Sequence, residues 1–536
     1  MKQALHIFKK DAHRFWPECL ISSALVAAFA FIYPHQWTDA NSMRPVVRFG
    51  FFTGGVLGFL GQALVVLIPL SWWLMIARVI HAEKLVGDRQ FWVTRPYEWK
   101  QLMGAKALFL VVFLLLPVLT AQILLLFEAG FHPFAYVPGL LYNILLITGV
   151  LVLPLVALAA LTPTFAKMTL AILGVVLLVA GIAALGAVLP SDTTGNVGSS
   201  LGDGLSFAVL LSLCGAVVVA QYALRRTLLG WGLLALIPVL LSALAFGNPD
   251  ELLMDRIYPR QANAAAAPVQ LQYVPDFAHQ ASTNTTNDAH EFEIYVPLHA
   301  SGVADGYAAI VEAVKATIDS SDGSHWDSPW QAVYSERLLP DTKDTSVRFR
   351  IRRAVYEKFK SAPVKLNLSI AITSAKAGAV TQIQLPLHDF FVSGFGVCSP
   401  RAGWLRVPFA ITAIDCRSAL HQPALSYVSA HWSDQNCSAS QSEPSTALLG
   451  TTWVGSMDPG LADFGITSVW ETPLGFSNAW SAYHQGSVPI PHHFCAGTPV
   501  TFTQFKLAGR AQSDVTLQDF RLPELAIGSR YLLMTQ

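Results

Sequence analysis

The chain has 536 residues, of which 53% are hydrophobic and 13% are Asp, Glu, Lys or Arg, about half the ~25% charge of a typical soluble domain. That composition excludes a wholly water-soluble or disordered protein, and the length exceeds the ~100–200 residues of a single domain. With 35 basic against 35 acidic residues, no overall positive field exists to attract nucleic acid, which argues against that class of partner.

The long apolar runs lie almost entirely within residues 1–250, which carry 15 Lys/Arg against 10 Asp/Glu; the remainder carries 20 against 25. Four regions are expected: an interfacial helix over 1–16, a transmembrane domain over 17–247 with a loop at 77–106, a linker over 248–267, and a β-rich domain over 268–536. In the first, Leu5, Phe8, Ala12 and Phe15 share one helical stripe with basic residues elsewhere, the pattern of a helix lying at a membrane surface. Ala28-Phe29-Ala30 fits a small-x-small cleavage pattern, but Met1 to Trp16 is longer than the short basic start of a signal peptide, so the segment is read as retained.

A helix needs about 20 apolar residues to cross the hydrocarbon layer. Seven segments qualify: 17–33, 49–76, 106–127, 136–161, 168–189, 205–224 and 228–247. None has Lys, Arg or Asp near its centre, where a charge costs about 2.5–3.5 kcal/mol. Pro69, Pro117 and Pro154 fall inside spans and are expected to kink them. Gly54 and Gly58 form a GxxxG pair, expected to let a neighbouring helix pack closely.

Orientation follows from basic residues retained on the cytoplasmic side. Arg78, Lys84, Arg89, Arg95, Lys100 and Lys106 crowd the 77–106 loop, whereas the stretches 128–135 and 190–204 hold no Lys or Arg. Lys2, Lys9, Lys10, Arg14, Lys167, Arg225 and Arg226 follow the same alternation, and Arg44 and Arg48 dissent. The reading is a multi-pass protein of the inner membrane with a cytoplasmic N-terminus, and seven crossings then place the tail beyond the membrane.

The 77–106 loop combines its basic groups with Glu83, Asp88, Glu98, Trp92, Tyr97 and Trp99. On these residues alone, a positive-inside anchor whose aromatics sit at headgroup level is an equal reading. The order Glu83, Gly87, Pro96, Lys106 between the second and third spans resembles the permease subunits of type-2 ABC exporters, and residues 6–18 resemble the interfacial opening of such permeases. The resemblance covers about the first 250 residues. It implies that Glu83, Gly87, Asp88, Arg89, Trp92, Arg95 and Pro96 lie near the contact with an ATPase subunit, with a second permease chain completing the assembly. No GxxxxGK[ST] loop occurs, so ATP would be bound by the partner and no cofactor or catalytic residue is assigned to this chain. A seventh span and the large trailing domain depart from the six spans common in that family.

Beyond Pro268 the pattern changes to period two. Phe292, Ile294 and Val296 share a face, as do Val347, Phe349 and Ile351, and Val364 to Ile372 alternates with Leu366, Leu368 and Ile370. These read as half-buried strands, bounded by turns such as Ser321-Asp322-Gly323 and Ala377-Gly378, in a β-sandwich or two small β-domains in tandem. Cys398, Cys416, Cys437 and Cys495 suit disulfides in an oxidising compartment. Three pairings are open, the simplest being Cys398 with Cys416 and Cys437 with Cys495. His421, His431, His484, His492 and His493 lack metal-ligand spacing, so no metal is expected. The tryptophans of this region suit core packing better than a ligand platform.

Together these features give an α-helical polytopic membrane bundle of about seven spans followed by a β-rich, sandwich-like extracytoplasmic domain. The expected function is a permease subunit of an ATP-driven exporter of an unidentified, amphipathic substrate. The alternative is a membrane-anchored binding or sensing protein whose outer domain captures a ligand or envelope partner.

Overall fold

A computed structural model describes residues 2–37, 55–83, 98–188, 200–246, 254–260, 269–273, 281–282, 291–338, 344–393, 395–402, 411–419, 424–430, 445–449, 466–475 and 497–523. Two architectures share the chain: an apolar helical bundle and a region of antiparallel sheets.

The bundle begins with α1 (Lys2–Arg14), α2 (Trp16–Ile32) and α3 (Gly55–His81). Next come α4 (Trp99–Leu110), α5 (Leu116–Glu128), α6 (Val137–Ile147) and α7 (Leu153–Leu161). The last helices are α8 (Phe165–Val188), α9 (Ser200–Val219) and α10 (Thr227–Phe246). Among the described residues, six stretches are long and apolar enough to cross a membrane: Trp16–His35, Phe59–His81, Trp99–Glu128, Pro133–Leu161, Gly204–Leu224 and Thr227–Leu244. The span expected at 168–189 falls on α8, where Phe165–Leu178 is apolar but shorter. Outward-facing Leu20, Phe31, Val66, Leu170 and Leu228 are more than half exposed, an apolar surface that suits lipid and not water.

Pro117 and Pro154 do not end their helices. A proline lacks the N–H for the carbonyl four residues back and crowds it, here the carbonyls of Phe113 and Val150. Wider π turns at Val111–Leu115 and Thr148–Val152 absorb the misfit just before each proline, so α4 continues into α5 and α6 into α7. Pro69 lies inside the continuous α3. A third π turn, Ala220–Leu224, ends α9 without a proline. Gly58 lies in α3, and Gly54 is outside the described residues.

The stripe expected on α1 is rotated. Ile7 and Asp11 are its buried positions, as is Phe15 just past its end; Phe8 is half-buried against Phe109 and Phe113, and Leu5 is 46% exposed. The rotation admits a charged residue because Asp11 has a partner inside.

Among its described residues the β-rich region holds three antiparallel sheets. Its strands are β1 (Gln270–Tyr273), β2 (Ala281–Ser282), β3 (Glu291–Ser301), β4 (Tyr307–Ser320) and β5 (His325–Asp327). They continue with β6 (Gln331–Leu338), β7 (Asp344–Arg352), β8 (Val364–Gln384), β9 (Phe390–Val392) and β10 (Gly396–Ala402). The last five are β11 (Ile411–Ala419), β12 (Ala424–Ala430), β13 (Ser445–Leu449), β14 (Val469–Gly475) and β15 (Pro499–Phe520). The largest sheet runs β13-β12-β15-β8-β4-β5, with β6 on β4. Its spine is the long β8–β15 pair.

That spine serves two cores in turn. Its Leu366, Leu368, Ile370, Val515 and Leu517 pack with Ile294, Val296, Val347 and Phe349 of the β1-β3-β2 sheet and its β7. Farther along, Val500 and Phe502 pack with Val392, Cys398, Ile414 and Cys416 of the β14-β11-β10-β9 sheet. The alternation expected at 292–296, 347–351 and 364–372 is the buried face of these strands. The turn at Ser321-Asp322-Gly323 forms, with Gly323 at φ +83.

Ala377-Gly378 is not a turn. Strand β8 runs through it, with the register to β15 shifting between Thr503 and Phe505. The glycine marks an irregularity in a continuing strand, a role it takes as readily as a turn.

Candidate functional site

The most unusual chemistry of the bundle is a buried ionic cluster where α1, α3 and α4 meet. Lys106 of α4 is 2% exposed, and its ammonium donates to Asp11 Oδ2 at 2.8 Å and to the Val79 carbonyl at 3.0 Å. Glu83, two residues past the end of α3, brings Oε1 within 3.7 Å of the same nitrogen. Both carboxylates are buried. The apolar wall is aromatic, with Phe15 edge-on to Phe109 and Phe8 stacked on Phe113. Tyr222, in the π turn ending α9, is buried within electrostatic reach of Glu83 and Asp11, and its hydroxyl has no hydrogen-bond partner among the described residues. Nearby, Arg78 pairs with Glu18 and lies over the Phe15 ring, and the His81 ring lies 3.3 Å from Thr162 Oγ1.

Removing charges from water costs several kcal/mol per ion unless geometry and hydrogen bonds compensate. Lys106 is compensated by a carboxylate, a carbonyl and a second carboxylate, so the cluster locks three chain segments into one arrangement.

The opposite end of the bundle receives the β-rich region. Lys106 and Gln122 lie on one continuous helical run, 16 residues and therefore about 24 Å apart along its axis. At the far end Ile466, Thr467, Ser468 and Val469 have no exposed surface, and Ile466 and Val469 belong to the same apolar core as the helices. Ser468 Oγ donates to the Gln122 carbonyl at 2.7 Å, Asn143 Nδ2 donates to the Thr467 carbonyl at 3.1 Å, and the Tyr33 hydroxyl donates to the Val469 carbonyl at 3.2 Å. Three helical segments thus grip a short piece of backbone that continues into β14.

Two glycines make the neighbouring contact close. Gly130, after α5, has φ +81, and a Cβ there would meet Phe391 and Val397 at 3.2 Å; Gly396 has φ +83, and its Cβ would fall 2.4 Å from the Arg417 carbonyl and from the Phe131 ring. The Arg417 guanidinium lies 5.0 Å over Trp37 and pairs with Asp389 at 3.3 Å.

A further attachment follows the last helix. A helical turn at 254–257 brings Tyr258 onto the large sheet, where its hydroxyl bonds to Glu312, lies 3.5 Å from Thr373 Oγ1 and has Arg510 over its ring. Burial, then the Glu312 charge, push the Tyr258 phenol well above its ordinary range.

Of the residues expected at a partner contact, Glu83 is buried in the ionic cluster. Gly87, Asp88, Arg89, Trp92, Arg95 and Pro96 lie outside the described residues. Cys398 and Cys416 are directly opposed on β10 and β11 and joined as a disulfide; Cys437 and Cys495 lie outside the described residues, as do the five histidines considered for metal. Among the described residues no group of three His, Cys, Asp or Glu is placed to hold a metal ion. Trp330 is buried and Trp326 packs beside Phe349, so both serve the core.

Sequence reasoning missed Asp11, Tyr222, Asn143 and the Thr467-Ser468 pair. Asp11 had a signal: an acid between Ile7 and Phe15 at four-residue spacing stands on an apolar face. Asn143, polar in the middle of an apolar run, had one too. Neither a protein-family model nor a curated protein sequence matches the chain.

Proposed function

We propose that the chain is the membrane-spanning permease subunit of an ATP-driven exporter, as its resemblance to type-2 ABC permeases implies. In this reading seven helices cross the inner membrane, α8 among them, with the 77–106 loop in the cytoplasm and the β-rich region outside. A separate ATPase subunit binds ATP and docks on Gly87, Asp88, Arg89, Trp92, Arg95 and Pro96. Its closure displaces the loop, and a second permease chain lines the other side of the path. The substrate is unidentified, and an amphipathic or lipid-like cargo suits spans without a central charge.

The observation that carries this reading is mechanical continuity. The 77–106 segment includes Glu83, which shares Lys106 with Asp11, and the helical run bearing Lys106 is held at its other end by Ser468. A push at one end therefore has a packed element through which to reach the other, which is what coupling between distant sites requires. The test is to isolate the full chain from its native membrane with its bound subunits and measure ATP turnover. An ATPase subunit is expected to accompany it, and Arg95→Glu or Trp92→Ala is expected to abolish both association and stimulated turnover. Association and turnover unchanged by both substitutions would refute the docking assignment.

The alternative, a membrane-anchored binding or sensing protein, draws on the rigidity of the same attachments: Tyr258, Ser468 and the Gly130/Gly396 contact hold the β-rich region as a fixed head. It predicts ligand capture by the full chain that is indifferent to nucleotide and to Arg95→Glu.

A further inference from the structure

The inward turn of Asp11 has a consequence for the other side of α1. Asp11 is the only acid in Lys2–Arg14, and its carboxylate is spent on Lys106. The outward face is left with Lys2, His6, Lys9, Lys10, His13 and Arg14, all exposed, and no acidic side chain. Its orientation is fixed, because Phe8 stacks on Phe113 and Ile7 and Phe15 are buried. Leu5 is 46% and Trp16 59% exposed beside these cations, and Trp16 opens α2, the first membrane-crossing stretch. The nearest acid in sequence, Glu18, is taken by Arg78.

A helix lying where a span begins, cationic outward with an aromatic and a leucine at its margin, is at headgroup depth. We propose that this face of α1 is a docking surface for anionic phospholipid headgroups of the adjoining leaflet. The buried Asp11–Lys106 pair serves it twice: it removes the one negative charge from the face and holds the helix at the bundle so that the cations are presented together. Each basic residue at such a surface contributes about fivefold to association with anionic lipid, and the attraction is screened by salt. The inference rests on the membrane placement of the bundle and is independent of any ATPase.

The test uses the full chain in phosphatidylcholine nanodiscs doped with spin-labelled phosphatidylglycerol or spin-labelled phosphatidylcholine, reading the motionally restricted fraction of each. The expected result is a severalfold preference for phosphatidylglycerol that falls between low and high salt. It should drop to near parity in Lys9→Gln/Lys10→Gln/Arg14→Gln, whose positions are exposed and outside the core, and persist in Lys167→Gln, an exposed cation between α7 and the body of α8. Equal restriction of both lipids in the unaltered chain, or a preference that survives the triple substitution, would overturn the proposal. So would binding of soluble inorganic polyphosphate, lost with the same three residues, in a chain without lipid preference. A chain recovered outside the discs would refute the membrane reading itself; a chain inside them without preference refutes only the headgroup assignment.

Discussion

Ser468 donates its hydroxyl hydrogen to the main-chain carbonyl of Gln122 at 2.7 Å, across 346 positions of sequence and with both residues buried. A residue of the β-rich region is thereby part of the helical core. Ser468→Ala removes one buried hydrogen bond and is expected to cost about 0.5–1.5 kcal/mol. Ser468→Leu must also find room in a closed site and is expected to cost about 1–3 kcal/mol. Thermal unfolding of the detergent-solubilised chain measures both, and equal stability of the leucine variant would contradict the packing described.

Lys106→Met takes the cation from the buried Asp11 carboxylate and is expected to destabilise the chain by about 3–5 kcal/mol. Pairing it with Asp11→Leu should recover much of that loss, because the second substitution removes a stranded charge. A double-mutant cycle on melting temperature reads the coupling, and simple additivity would show that the two side chains do not act together.

Gly396→Ala combines a positive φ with a Cβ 2.4 Å from a backbone carbonyl. Backbone strain alone costs about 1–3 kcal/mol, and the carbonyl cannot swing away as a side chain would. Gly323→Ala, also at positive φ but with open space around it, should be the milder change. Reversal of that order in thermal melts would contradict the close approach of Phe131 to this hairpin.

His325 lies between Asp319 at 2.7 Å and Asp327 at 3.0 Å. Hydrogen bonds to Asp319 first and Asp327 second raise its pKa above the ordinary histidine value. The folded state therefore favours the protonated ring. That contribution is fully present below the unfolded pKa of about 6.5 and is lost as pH rises through the higher folded value. An NMR titration of histidine ring carbons, assigned with His325→Gln, should show one ring titrating late, and Asp319→Asn should bring it back toward the ordinary range.

Much of the architecture was legible from periodicity. Apolar run length located the helices, and alternation located β3, β7 and the first half of β8 on their buried faces, since one-sided burial is what writes those patterns. Ala377-Gly378 misled because a glycine in a strand and a glycine in a turn look alike until the partner strand is known. The site was less legible. Lys106 and Glu83 stood out as charges of the 77–106 segment and in the family resemblance, but not as a pair, while Asp11 lay outside the stripe expected on Leu5, Phe8, Ala12 and Phe15. Nothing local marks Thr467 and Ser468, because their burial depends on helices more than 300 residues away. About 24 Å of helix separates Lys106 from Gln122, where Ser468 of the β-rich region is held, and that separation underlies the central claim that the buried cluster and the β-rich region lie on opposite faces of a membrane.

Single-cysteine accessibility tests that claim most directly. Lys167→Cys marks the end of the bundle shared with the 77–106 loop, and Val380→Cys, at an exposed position of β8, marks the β-rich region. With a membrane-impermeant maleimide on intact spheroplasts, Val380→Cys should be labelled at once and Lys167→Cys only after permeabilisation. Labelling of both without permeabilisation, or of neither until permeabilisation, would contradict the account.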